Sequence, residues 1–393
     1  MKKIFFIMIT VLAILSFPGC NGGSARWRVP GSRARARITV DPQGFPRLAR
    51  PVEVPLDFAS LLAQAGLAGS LDENSLHLVE IDSQGTVIDD RVPFQLDRAA
   101  GTLVFILCDS TGAGQGRAYD LYFDNDEKAR GREPARVDTL VRVEDDIPHE
   151  EQLSIRITTP AGTYYYQKAG AGFASLEDRD GADWIGYRPC CESAGQYRGI
   201  PNMWKFHPGL DSCTSALESR GPLRARIRSA SRDGEWECTW DIYPAYAVMS
   251  LLRANGTYWF LYEGIPGGSL EVDRDYNLLS SGLRRSVAED WHGDIPAPEW
   301  VCFGDDSLQR VLYLAHHEDD QHSDQFWQMR QEMVVFGFGR QYRCCDTYMD
   351  LVPAHFTVGF AEDSSFAQVE RQVASAFRPV GISVGAPERK PGV

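Results

Sequence analysis

One pattern limits what this chain can fold into. Short apolar alternations follow one another, each closed by turn chemistry, over most of its 393 residues. Val52-Glu53-Val54-Pro55-Leu56, Leu76-His77-Leu78-Val79-Glu80-Ile81 and Val92-Pro93-Phe94-Gln95-Leu96 alternate, 103–107 reads as a strand buried on both faces, and Tyr119-Asp120-Leu121-Tyr122-Phe123 closes the set. A period of two sends successive side chains to opposite faces, the mark of a half-buried strand. Asp82-Ser83-Gln84-Gly85, Asp97-Arg98 and the Gly-rich 109–116 supply the turns. Only 58–68 has helical spacing here. Short strands at this interval predict a sandwich.

The polar stretch 124–137 is the best linker in the chain. Beyond it, 154–159, 163–168, 223–229, 236–243, 246–253, 258–263, 300–303, 311–316, 333–338 and 356–360 read as strands, and 366–377 as an amphipathic helix. That is too many strands for an ordinary sandwich, and two large stacked sheets fit better. The expected class is all-β: a small N-terminal β-sandwich over 37–124, followed by a larger antiparallel β-supersandwich over 138–380.

The first twenty residues read as an export signal. Lys2 and Lys3 precede an apolar run over 4–17, too short for a comfortable membrane span, and Pro18-Gly19-Cys20 follows. A small residue before a cysteine resembles a lipobox, so Cys20 is the expected lipidation site. Phe17 and Pro18 depart from the usual lipobox residues. Residues 21–36 then read as a flexible basic tether, with Arg26, Arg28, Arg33, Arg35 and Arg37 close together. Such an arm suits anionic headgroups, or is simply a solvated linker. The expected location is the bacterial cell envelope, periplasmic or at the cell surface, with the membrane reached through a lipid anchor. The body is acidic, with a net charge of −14, which argues against nucleic acid as a partner.

Apart from Cys20, eight cysteines remain, and no CxxC pair favours a structural zinc. In an oxidising compartment a cross-link between the Cys190-Cys191 and Cys344-Cys345 loops is expected. Cys238, between Trp236 and Trp240, reads as a buried thiol.

Chemistry concentrates in three places. The stretch 164–209 carries Trp184, Tyr187, Tyr197, Arg198, Asn202, Trp204 and His207, and 177–215 shows little strand pattern. So long a loop, rich in aromatics, reads as an ordered flap over a cleft, or as a purely structural cover. A second cluster, Ala315-His316-His317-Glu318-Asp319-Asp320, ends an apolar strand. Alternation sends His316 and His317 to opposite faces, leaving at most one for a given site. That histidine is a base or metal ligand, or a polar residue that is merely hydrogen-bonded. In the third, Trp259, Leu261 and Glu263 share one face of a strand and Tyr258, Phe260 and Tyr262 the other. Glu263 ends an apolar row, where a general acid is placed, or a salt-bridged strand end. Arg340, after Gly337-Phe338-Gly339, could bind a carboxylate bidentately, though a surface arginine is the plainer reading. No GxSxG elbow, P-loop, HExxH or dinucleotide fingerprint is present.

The segments Gly172-Phe173-Ala174-Ser175-Leu176-Glu177-Asp178, Asp183-Trp184-Ile185-Gly186-Tyr187 and Tyr197-Arg198-Gly199-Ile200-Pro201-Asn202, with Tyr258 through Gly264, resemble a group of exported bacterial proteins found among polysaccharide-degradation systems. At fold level the second part resembles the galactose-mutarotase-like supersandwich of several polysaccharide lyases and sugar epimerases. The resemblance implies a carbohydrate partner without fixing a reaction.

Three functions compete. The first is a polysaccharide lyase, a carbon–oxygen lyase eliminating beside a uronate. It needs a cation on the carboxylate, a base for the C5 proton and an acid for the leaving oxygen. Tyr197, Arg198, His207, His316 and Glu263 are its catalytic candidates, and Trp184, Tyr187, Asn202, Trp204 and Arg340 its substrate-binding ones. A divalent cation such as calcium is compatible with that chemistry. The second is a glycoside hydrolase with paired carboxylates drawn from Glu263, Asp183, Glu318 and Asp319. The third is a non-catalytic glycan-binding lipoprotein using Trp184, Trp204 and Tyr197 as platforms.

Overall fold

The computed structural model describes residues 27–128, 133, 137–190, 193–341 and 346–392. Cys20, the leader and residues 21–26 of the expected tether therefore lie outside the described residues, as do Cys191, Cys344 and Cys345 of the expected cross-link. The described chain is all-β, with two α-helices, Phe58–Gln64 and Phe366–Phe377, among its strands.

The N-terminal unit is a sandwich. Strands Ala34–Asp41, Arg117–Phe123, His77–Ile81 and Val87–Asp89 form one sheet, and Arg47–Pro55, Thr102–Thr111 and Phe94–Asp97 the other. Ala36, Ile38, Val52, Val54, Leu103 and Phe105 fill the space between them, as the alternation demands. Two features depart from the sequence reading. The last strands, Gly381–Val384 and Glu388–Arg389, return from the far end of the chain to pair with Ala34–Asp41, so the sandwich is closed by both termini. Nor is the basic run free along its length: Arg33 pairs with Asp124 at 2.7 Å, Arg35 with Glu388 at 2.7 Å and Arg37 with Asp120 at 2.5 Å. Strand pairing and acids on the neighbouring strand capture arginines whose spacing resembled a linker. Any tether thus ends before Trp27, whose ring packs edge-on against Tyr122.

The second unit is built on a nine-stranded antiparallel sheet running from Cys213–Arg220 at one edge to Arg284–Ser286 at the other. Two four-stranded sheets cover one of its faces. The first is the meander Arg142–His149, Gln152–Thr158, Gly162–Gln167 and Gly172–Asp178. The second, here the outer sheet, is ordered Phe260–Gly264, Met333–Phe338, Asp324–Met329 and Trp291–Gly293. Ile155, Phe173, Ile227, Trp240, Phe260, Phe303, Phe336 and Phe356 belong to the single core between these layers. Cys238 lies in it as a buried thiol. The opposite face of the large sheet carries Trp300 and Tyr313 under helix Phe366–Phe377.

The units are tied by a buried cation. Arg224 is fully enclosed, pairs with Glu53 at 2.7 Å and also with Asp97, while Gln95 Oε1 accepts from the backbone N–H groups of Leu223 and Arg224. A guanidinium with several donors satisfied by carboxylates is the form in which a buried charge is tolerated.

Candidate functional site

The outer sheet has an inner and an outer side. Phe260 and Tyr262 point to the core, and Trp259, Leu261 and Glu263 point the other way, as alternation requires. The neighbouring strand register places Val335 beside Glu263 and Trp327 beside Val335, so one row runs Glu263–Val335–Trp327. The long loop roofs this row.

Three short backbone bridges anchor the loop. Phe173 pairs with Ile200, Gly199 pairs with Glu263, and Met203 pairs with Phe206. The second brings the loop onto the outer strand itself: Gly199 N–H donates to Glu263 O at 2.8 Å and Glu263 N–H to Gly199 O at 3.1 Å. Gly199 is required there, because a Cβ would stand 2.6 Å from the Pro208 ring. The third bridge closes a two-residue turn whose flanks, Met203 and Phe206, are fully buried. Trp204 sits at its tip with a φ of +30°, a costly region for a bulky residue, at about 1–3 kcal/mol. Its indole is 52% exposed and stacks on Trp259 with ring centroids 5.5 Å apart.

Beneath that indole lies the polar centre. Glu263 is 5% exposed; its Oε2 accepts from Asn202 Nδ2 at 2.8 Å and stands 3.5 Å from His207 Nε2. Oε1 takes no hydrogen bond from any described residue. His207 Nε2 lies 2.9 Å from Tyr197 O. A carbonyl can only accept, so Nε2 carries the proton and its lone pair is not available for base chemistry. His207 therefore fixes the loop and lends positive potential to Glu263. The Trp259 indole N–H donates to Asn202 O, which locks the amide that holds Glu263. Arg340 completes the wall: its guanidinium lies 4.6 Å from the Trp259 ring centroid and 4.2 Å from that of Trp327. Burial lowers its pKa to about 10, against the pull of Glu263, and it remains a cation at neutral pH.

The structure thus brings together Asn202, Trp204, His207, Glu263, Arg340 and the backbone of Tyr197. It leaves out four of the expected residues. Trp184 is fully buried, with its indole N–H on Asp178 Oδ2 at 3.0 Å, so it cannot stack on a sugar. Tyr187 is 5% exposed and belongs to the core. Arg198 spends its guanidinium on the carbonyls of Gly186 and Glu332, at 3.1 and 3.0 Å, pinning the loop instead of facing solvent. His316 sits apart, 2.7 Å from Glu299, with its ring stacked on Phe356. Two of the three proposed carboxylate partners of Glu263 are engaged elsewhere as well: Asp183 Oδ1 accepts from the N–H groups of Leu176 and Ile185, and Glu318 holds His355; Asp319 is exposed. Trp259 and Trp327 were not among the sequence candidates. The signal for Trp259 was its shared face with Glu263; Trp327 lies in a strand whose polar residues hide its alternation.

His317 faces away from His316, as expected, bonded to Thr357 Oγ1 at 2.7 Å; burial pushes its pKa down to about 3, so it is a neutral, half-buried residue.

No protein-family model matches the chain, and no curated protein does. Among solved structures it is similar to the protein HI1317, at 10% identity over 57% of this chain and 97% of that one, with a TM-score of 0.40. It is also similar to a glycosyl hydrolase family 38 protein of Enterococcus faecalis, at 9% identity over 91% of this chain and 48% of that one, with a TM-score of 0.45. The chain spans about half the length of that second protein. Neither likeness bears on function at such scores.

Proposed function

We propose that this chain binds carbohydrate on the roofed face of the outer sheet. The observation that carries the reading is Trp204, held exposed at a strained turn and stacked on Trp259, beside a glutamate with one oxygen uncommitted. A pyranose offers C–H faces that lie on an indole and hydroxyls that a carboxylate accepts. A flat ring next to fixed polar groups recognises both. Asn202 holds Oε2, with His207 3.5 Å away, which leaves Oε1 for a sugar hydroxyl. The test is retardation of the purified chain in gels containing neutral or uronate polysaccharides. Wild type should be retarded by at least one glycan and Trp204→Ala should not; no retardation across the panel sinks the proposal.

A lyase reading keeps one specific support. Arg340 is a cation beside Glu263, where a uronate carboxylate would be neutralised, and the Tyr197 phenol lies on the same loop at 37% exposure. With Arg198 and His316 committed elsewhere, cation and base fall to Arg340 and Tyr197. Elimination would produce a conjugated enoate, read as rising ultraviolet absorbance; its absence over ulvan, alginate and pectin removes this reading and leaves binding.

The location is likewise a proposal, supported by the order of charges, apolar run and Cys20. Cys20→Ser should release the protein from the membrane fraction of the producing cell; unchanged fractionation would refute the anchor.

A further inference from the structure

We propose that Glu299, His316 and Asp320 hold one divalent transition-metal ion, Zn²⁺ before others. His316 ends strand Val311–His316, and Glu299 directly precedes the adjacent antiparallel strand Trp300–Asp305. The backbone ties them, His316 N–H to Glu299 O at 3.0 Å, so the two side chains leave the strand ends together. The chain then turns back, and Asp320 N–H donates to Glu299 Oε1 at 2.8 Å, bringing the second carboxylate, the third member of the set, over the first two groups. One ligand atom from each residue lies within 4.8 Å of the others. Nδ1 of His316 is 2.7 Å from Glu299 Oε2 and 3.8 Å from Asp320 Oδ2. Ligands of one ion at about 2.0–2.2 Å stand roughly 3–4 Å apart, so small side-chain rotations complete the set.

Two further observations point to a cation. The first is charge. Glu299 is 2% exposed and Asp324, nearby, 2%. Among the described residues no Lys or Arg forms an ion pair with Glu299, Glu318, Asp320 or Asp324; their only ionic partners are the imidazoles of His316 and His355. Four carboxylates at least half withdrawn from water, without a fixed cation, are costly unless a cation joins them. The second is orientation. The His316 ring is clamped on Phe356, with centroids 4.9 Å apart, and its far nitrogen, Nε2, is 3.7 Å from Glu318 Oε2. An imidazole with a carboxylate behind it is the usual support of a metal-bound histidine, fixing its tautomer and raising its basicity. Glu318 is itself held by the N–H and Nδ1 of His355, at 2.8 and 2.6 Å.

One nitrogen and two carboxylate oxygens suit zinc or manganese better than calcium, which takes six to eight oxygens. Three protein ligands leave a position for water, the arrangement of an ion that is not purely structural. The glycan surface takes no part in this assignment, so the failure of either leaves the other standing.

The test begins with the full chain stripped by a chelator and titrated calorimetrically with Zn²⁺ alone, then with Mn²⁺ and Ca²⁺. One transition-metal ion per chain should bind, and Asp320→Asn should weaken it at least tenfold. Asp320 lies in a loop and its loss leaves the fold intact, which circular dichroism checks. Glu299→Gln should weaken it further. Cobalt in place of zinc should give visible absorption bands that disappear in His316→Gln. No stoichiometric binding, binding indifferent to Asp320→Asn and Glu299→Gln, or calcium preferred over both transition ions would each overturn the proposal.

Discussion

Two places in this molecule set a histidine beside a buried glutamate, and their surroundings give them different work. At the outer sheet, His207 spends Nε2 on a backbone carbonyl and only approaches Glu263, whose second oxygen takes no hydrogen bond from the described residues and lies among indoles and a guanidinium. At the strand ends of the large sheet, His316 meets Glu299 directly, and further carboxylates crowd round without an ion pair to any described Lys or Arg. The first sets one carboxylate beside flat rings, the surface proposed to take a glycan. The second collects carboxylates and calls for a cation. Residue type does not separate the two; what differs is what the remaining lone pairs and protons meet.

The sharpest way to break this contrast is to exchange exposed and buried indoles. Trp184→Ala should cost about 3–5 kcal/mol of stability, because it empties a fully enclosed site and takes from Asp178 Oδ2 one of its two donors, leaving Arg310 at 2.7 Å. Trp204→Ala should leave stability almost unchanged. Urea midpoints of the two variants test this, and similar losses in both would mean that Trp204 is a structural cap and not a platform.

Asp275 supplies the reference that both glutamates lack, a buried acid without an imidazole or side-chain amide, held only by the Glu271 N–H on Oδ2 at 2.8 Å. It is 2% exposed, faces Asp305 across the sheet, and its Oδ1 has no partner. Burial raises its pKa from 3.8 to about 7, with Asp305 and Glu271 adding to the shift. An acid with a higher pKa folded than unfolded holds more protons when folded. Its contribution is complete below pH 3.8 and declines as the pH climbs to about 7. The expected loss over that window is on the order of 2–4 kcal/mol. Denaturation measured at both ends of it, in wild type and Asp275→Asn, should show a slope in the first that is reduced in the second. Equal slopes would mean that Asp275 is stabilised by contacts other than its proton.

Much of this was legible in the sequence. Period-two alternation placed Trp259 and Glu263 on one face and sent His316 and His317 apart, because a pleated strand leaves no other choice. The long loop was recognisable as ordered, since a disordered segment does not carry so many rings. Which of its aromatics would be exposed was not legible: Trp184 and Trp204 look alike until the bridges Glu177–Asp183 and Met203–Phe206 set one inward and the other at an exposed tip. Strand Asp324–Met329 escaped notice because Asp324, Gln325 and Gln328 mask its apolar face. Residues distant in sequence, such as Glu299 and His316, or Arg33 and Asp124, meet through sheet topology that no local pattern records.

The next contrast concerns charge. Glu263→Gln keeps shape and the loop bridges, which run through the backbone, and removes the acceptor of a charge-assisted bond worth about 1.5–3 kcal/mol. Glycan binding should fall roughly ten- to hundredfold with an unchanged melting temperature. Trp204→Ala should follow with a loss nearer tenfold, since stacking beyond buried area is worth about 0.5–1.5 kcal/mol. If Glu263→Gln binds as wild type does, the carboxylate serves the loop and not a ligand.

The smallest expected effect is the most discriminating. Tyr197 serves the site through its carbonyl, which holds His207 at 2.9 Å, while its phenol ring lies under Arg330, 5.5 Å from the ring centroid. Tyr197→Phe keeps the carbonyl and the ring and deletes only the hydroxyl. Stability and glycan affinity should both stay within about 0.5 kcal/mol of wild type, as for other surface changes that leave no group unpaired. A base in an elimination reaction would behave differently: losing the phenol would abolish turnover of a uronate polymer and leave its binding untouched. Measuring affinity and ultraviolet product on this one variant therefore separates a surface that only holds sugar from one that cuts it, with His207 and Glu263 in place throughout.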